Sequence, residues 1–340
     1  MNYYRTVTFT PPSENITNMP LLVKIMDGGM VHRIANLNGY DVSFQDMNGN
    51  ALPFELDFYD KSAGKGAWWV KIPTLYASGE NQIKMLYGDD SITTNQSSPA
   101  TVWSDYVGVC HFNNDVDSMP VNVVNGASAT VAASHESTEI SLQSNTMTGR
   151  CIQYRATQIN GYILNIFPIA GLAACPGSAS IYGKMVTGGG QCWMRQQSPS
   201  GNASYSFFAG SNEIEFYLAE QKTLRTDLVG DDFGYNAISR TDMSVDVDGY
   251  VNCEKLHAGN MSYWDRSNFT FTLNGFSNSV AVYQFDEVRL LNQNVSAARL
   301  LYEQQNMLKH AEFTTYGEEY YADGTLARRF YPWLTVGKIL

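Results

Sequence analysis

Charge is what this sequence has least of: only 16% of its 340 residues are Asp, Glu, Lys or Arg. Basic residues are the scarcer sign, 22 against 33 acidic ones, for a formal net charge of −11. Such a surface repels nucleic acid and anionic lipid, so no nucleic-acid partner is expected. Cysteine is also sparse. Cys110, Cys151, Cys175, Cys192 and Cys253 form an odd set with no C-x-x-C pair, which argues against a zinc site or disulfide framework and leaves buried thiols as the expectation. Long hydrophobic runs are missing. The most apolar stretch, 162–175, contains Asn165, Pro168 and Gly171 and falls short of the ~20 residues that span a bilayer, so membrane insertion is not expected. The segment Met1 to Thr6 has neither the basic start nor the apolar core of a secretory signal.

Catalytic signatures are absent as well. There is no G-x-S-x-G elbow. His32, His111, His135, His257 and His310 are scattered without H-x-H or H-E-x-x-H spacing, and each reads as structural. Gly188-Gly189-Gly190 lacks a following Lys-Ser or Lys-Thr and reads as a turn. One carboxylate pair stands out. In Glu55-Leu56-Asp57-Phe58-Tyr59-Asp60, strand alternation aims Glu55, Asp57 and Tyr59 at one face, an arrangement that paired-carboxylate glycosidases use. Catalysis would further require a cleft that separates their two pKa values, and the expectation is a protein that is not an enzyme.

Asn, Ser, Thr, Gly and Tyr are plentiful, which favours strands and turns over exposed helices and matches the surfaces of extracellular and virion proteins. Strands are predicted at Tyr3–Phe9, Pro20–Ile25, Tyr40–Phe44, Leu52–Phe58, Trp68–Ile72 and Gln82–Tyr87, with the short repeat of a β-sandwich. Trp68 and Trp69 should point to opposite faces, one inward and one outward. The polar stretch 88–100 marks a domain boundary. Strands continue beyond it, with Asp248-Gly249 read as a hairpin turn. Ser296 to His310 carries Leu300, Leu301, Met307 and Leu308 at helical spacing behind Ser296 as N-cap. The segment from Ala311 to Leu340 is too aromatic for a solvated tail and should pack on its own domain or on a partner.

Six blocks in the first hundred residues carry a family likeness: Asn18 to Lys24, Gly39 to Phe44, Leu52 to Leu56, Trp69 to Pro73, Leu86 to Gly88 and Val102-Trp103. In this order they resemble the DUF2341 family, which implies a β-sandwich found in surface and phage-tail proteins without family-wide enzymatic activity. Cys110-His111-Phe112 with Asp117-Ser118, Ser244 to Gly249, and Phe285 to Leu290 ahead of Ser296-Ala297 resemble a laminin-G-like, concanavalin A-like jelly roll. That resemblance implies glycan or protein binding, and often calcium near the closing Asp-Glu strand.

The expected architecture is therefore all-β, with two β-sandwich domains and one short C-terminal helix. A small sandwich occupies 1–102, a larger concanavalin A-like jelly roll 103–312, and the aromatic segment 313–340. No cofactor is required, although Asp115 or Asp117 with Asp286 would supply oxygen ligands for a structural calcium ion. Trp193, Tyr205, Tyr217, Tyr235 and Trp264 are the candidates for stacking on sugar faces. These features lead to the expectation of a non-enzymatic virion surface protein of a phage tail or capsid, adhesive or structural. Its partners would be other virion proteins, its own copies or host-surface glycans. The alternatives are a secreted or cell-surface carbohydrate-binding adhesin module and, third, a glycoside hydrolase or lyase.

Overall fold

The computed structural model describes residues 1–26, 33–113, 120–128, 281–291 and 293–327, together with the strands between 138 and 273. The protein is mostly β, with antiparallel sheets and a few short helices. Its first body contains β1 (Tyr3–Phe9), β2 (Ile16–Ile25), β3 (Ser43–Asp46), β4 (Ala51–Leu52), β5 (Phe54–Asp60), β6 (Lys65–Leu75) and β7 (Asn81–Tyr87). A single helical turn, α1 (Pro99–Val102), leads to β8 (Tyr106–Cys110).

Next come β9 (Thr138–Ser144), β10 (Arg150–Ala156), β11 (Leu164–Phe167), β12 (Ser178–Thr187), β13 (Gln191–Gln197) and β14 (Ala203–Gly210). They are followed by β15 (Glu213–Leu218), β16 (Gln221–Arg225), β17 (Gly234–Arg240), β18 (Asp246–Val251), β19 (Glu254–Asn260), β20 (Thr270–Leu273) and β21 (Ala281–Leu291). The last described elements are α2 (Ala297–Leu308), α3 (His310–Phe313) and β22 (Thr314–Tyr321).

Four sheets result. The order β22-β1-β7-β3-β4 faces a three-stranded sheet β2-β6-β5. The alternation along β1 buries Arg5, Val7 and Phe9. Val7 and Phe9 join Leu21, Val23, Phe44, Trp68, Val70, Ile83 and Met85 in one core. In the second body, β21 is central to an eight-stranded sheet, pairing with β10, β12 and β8, and β11-β20-β13-β14-β15-β16 form a six-stranded one.

The three-stranded sheet is covered on both faces. Leu22, Ala67 and Trp69 point away from the first core and pack with Trp103, Tyr106, Val109, Tyr182, Leu291, Leu300 and Met307. This double burial explains the unbroken apolar run in β2. Trp68 and Trp69 do take opposite faces, yet both are 0% exposed; the face expected to be open is roofed by β8, β21 and α2. Each indole removes on the order of 200 Å² from water, roughly 5 kcal/mol of transfer free energy before ordering entropy is subtracted.

Both edges of this middle sheet are closed by polar groups. Along β5, Ser97 Oγ accepts from Leu56 N at 2.8 Å, and Ser98 N donates to Phe54 O at 2.7 Å. Along β2 the closure comes from the C-terminal part of the chain. Arg299 donates to the carbonyls of Thr17 and Asn18, Asn306 bonds both backbone groups of Leu22, and Tyr316 Oη bonds both of Lys24.

The helix expected at Ser296 to His310 is present as α2, with Ser296 Oγ accepting from Arg299 N at 3.1 Å. Of the aromatic segment, Thr314–Tyr321 forms β22 and adds to β1, Tyr4 opposite Tyr320; residues 328–340 lie outside the described residues. Asp248-Gly249 is not a hairpin turn. Both residues sit inside β18, at an irregularity of its pairing with β19, because the chain reverses after Val251.

Candidate functional site

The joint between the two bodies holds a chain of buried charges. It begins at a bulge in β5: Leu56 pairs with Trp68 and Phe58 with Ala67, leaving Asp57 as the extra residue. The bulge changes the facing of the strand. Leu56 and Tyr59 pack into the first core, whereas Phe58 packs into the second, and Glu55 and Asp57 turn toward β8 and β21. The expected trio is thus split: Glu55 and Asp57 share a site, and Tyr59 leaves it.

Across the joint, pairing of Val288 with Cys110 sets Glu287 beside His111. His111 Nδ1 meets Glu287 Oε1, and its Nε2 lies 3.1 Å from Glu55 Oε2, which also accepts from Trp103 Nε1. Arg289 Nε donates to Glu287 Oε2 at 3.0 Å, and Arg289 Nη1 to Glu303 Oε1 on α2 at 2.5 Å. The result is an alternating series, Glu55, His111, Glu287, Arg289, Glu303. All five residues are buried.

Aromatic rings enclose the series. The Arg289 guanidinium carbon is 4.1 Å from the Trp69 ring centre and 4.9 Å from that of Trp103, within cation–π range. Trp69 also lies nearly parallel to the His111 ring, centres 6.0 Å apart and planes at 12°. Asp57 stands at the rim, half-buried, and accepts from Trp69 Nε1 at 3.0 Å and from the Asn113 amide. Donor atoms of Asp57, His111 and Glu287 all fall within 4.8 Å of one another, so among the described residues these three could hold a metal ion.

The electrostatics follow from burial and crowding. Desolvation pushes the Asp57 carboxyl up to about 7; His111 and the Trp69 bond oppose the rise, and Glu287 and Glu55 add to it. Burial would lower the His111 imidazolium, but Glu287, Glu55 and Asp57 outweigh it and hold the group well above its ordinary range. Desolvation, reinforced by Glu303, pushes the Tyr106 phenol up to about 12. His111 is therefore a cation shared by two carboxylates, which is stronger than a neutral contact. A buried acid of this kind is stable only with its partners in place.

The other candidate residues lie elsewhere. Trp193, Tyr205 and Tyr217 fall on β13, β14 and β15 of the six-stranded sheet, and Tyr235 on β17 of the eight-stranded one. Trp264, Asp115 and Asp117 lie outside the described residues. Asp286 is fully buried in the middle of β21. Sequence reasoning missed His111, Glu287, Arg289 and Glu303 as a group. The available signal was Glu287 and Arg289 at alternate positions of a strand otherwise rich in apolar residues, since charges on a buried face must find partners.

Comparison with known proteins gives one family match: residues 38–122 fit the model described as a domain of unknown function (DUF2341). No curated protein matches the chain. Among solved structures, the chain is similar to the botulinum neurotoxin serotype D ligand binding domain in complex with N-acetylneuraminic acid. Identity is 13% and TM-score 0.43, over 61% of this chain and 53% of that one. It is also similar to Trypanosoma rangeli sialidase in complex with a difluoro-KDN ligand, at 10% identity and TM-score 0.46 over 61% of this chain and 33% of that one. The chain thus spans about half of the first protein and a third of the second.

Proposed function

We propose that this chain is a non-enzymatic attachment module of a virion surface, in a phage tail or capsid, where the first body and its joint hold the second body rigidly. The observation that carries this reading is the buried series Glu55, His111, Glu287, Arg289, Glu303. Its ionisable groups bond one another across the boundary of the two bodies. A glycosidase pair needs a carboxyl that can reach a substrate, whereas Glu55 is 6% exposed and engaged with Trp103 and His111. These carboxylates support a fastening role. Low charge and abundant Asn, Ser, Thr and Tyr suit an exposed binding surface, with Trp193, Tyr205, Tyr217 and Tyr235 of the second body as stacking groups for glycans or contacts to neighbouring subunits.

Immunolabelling of particles and a glycan array with the purified chain test the proposal. Particle labelling with selective glycan or subunit binding is the expected result. Absence of both, or turnover of a polysaccharide that disappears in Glu55→Gln or Asp57→Asn, contradicts it.

A further inference from the structure

The geometry points to a metal site inside the joint: Asp57, His111 and Glu287 bind one zinc-like divalent ion, His111 through Nδ1 and each acid through a carboxylate oxygen. This inference stands apart from the attachment reading and uses none of the residues considered for calcium.

Three observations converge. The donor atoms lie within 4.8 Å of one another, and an ion with ligands at roughly 2.0–2.2 Å sets its donors about 3.5 Å apart, so binding requires His111 Nδ1 and Glu287 Oε1, which bond each other directly, to part by about 1 Å and the widest pair to close by about as much. Each donor also has its own outer partner. Glu55 Oε2 takes the far nitrogen of His111 at 3.1 Å, Arg289 Nε holds the far oxygen of Glu287 at 3.0 Å, and Trp69 Nε1 holds Asp57 Oδ2 at 3.0 Å. That is the arrangement by which carboxylates and ring donors orient metal ligands.

Charge supplies the third argument. Three carboxylates, Glu55, Asp57 and Glu287, crowd around His111, and a cation held among them relieves their mutual repulsion. One imidazole and two carboxylates suit zinc better than calcium, which takes about 6–8 oxygen ligands. Asp57 and Asn113 are half-buried while His111 and Glu287 are buried, so the ion would enter from the Asp57 side.

The test uses the full chain, stripped with a chelator, shown by circular dichroism to be folded, and titrated with zinc chloride by calorimetry. One equivalent should bind, and Asp57→Asn, a neutral isostere at the rim, should weaken binding about tenfold or more. No binding by the folded chain, or equal binding by wild type and a folded Asp57→Asn variant, overturns the inference. Should Asp57→Asn not fold, X-ray absorption of the zinc-loaded wild type decides. A shell of one imidazole nitrogen with oxygens supports the site, and a shell without imidazole removes it.

Discussion

The side-chain amide of Asn306 takes the place of a neighbouring strand for Leu22, 284 residues earlier: it accepts from Leu22 N at 2.7 Å and donates to Leu22 O at 3.1 Å. β2 is an edge strand, and its outward backbone groups fall on alternate residues. Pro20, in the same phase, has no N–H to satisfy. Lys24 is served by Tyr316. A strand edge that would otherwise invite pairing with another chain is therefore closed from within.

Asn306→Ala should leave both Leu22 groups buried and unpaired. At about 1–3 kcal/mol for each of the two groups, the loss should be roughly 2–6 kcal/mol. Urea titration should show a lower midpoint with an unchanged slope. Glu318→Ala, on the exposed side of β22, should stay within about 0.5 kcal/mol of wild type.

Arg289→Met should set Glu287 and Glu303 facing each other without their shared cation. Breaking a buried pair from one side costs about 3–5 kcal/mol. Adding Glu303→Gln should recover part of that loss, so the double variant should be more stable than the two single effects summed. Simple additivity would argue against a coupled series.

His310 should give the protein an acid-sensitive stability. Burial and then the nearby Lys24 charge hold its pKa down at about 3, against 6.5 for the free side chain. As pH falls below 6.5 the unfolded chain takes up a proton that the folded one does not, so stability is full above that value and declines toward 3. The slope from this group approaches about 1.4 kcal/mol per pH unit. His310→Gln should flatten this part of the profile in urea titrations across the window.

Two glycines should respond differently to alanine. A Cβ at Gly66 would stand 2.3 Å from the Trp68 ring, which is fully buried and cannot move aside. Gly66→Ala should cost about 1–3 kcal/mol through overpacking and change the near-ultraviolet dichroism. Gly79 has φ +91 and open space around it. Gly79→Ala should carry a backbone penalty of about 1–2 kcal/mol and leave that spectrum unchanged.

The strands of the first body were legible because Tyr3–Phe9 and Asn81–Tyr87 alternate, and α2 because Ser296 caps a helical repeat. The doubly covered middle sheet was not. One of Trp68 and Trp69 read as outward, and only the roof from Trp103, Tyr106 and Leu300 makes Trp69 core together with Leu22. The charged joint was illegible for the same reason of distance. His111 lies 56 residues from Glu55 and 176 from Glu287, and no local spacing links groups that meet only by tertiary packing. The bulge that separates Tyr59 from Glu55 and Asp57 left no trace in the alternation of the strand.

The central claim is that the middle sheet and the charge series fasten the two bodies into one cooperative unit, and native-state hydrogen exchange on the full chain tests it most directly. The backbone amides of β2, β6 and β21 should become exchangeable together, with a single opening free energy equal to that of global unfolding. If β21 exchanges through a separate, lower-energy opening while β2 and β6 stay protected, the joint does not bind the bodies and the account fails.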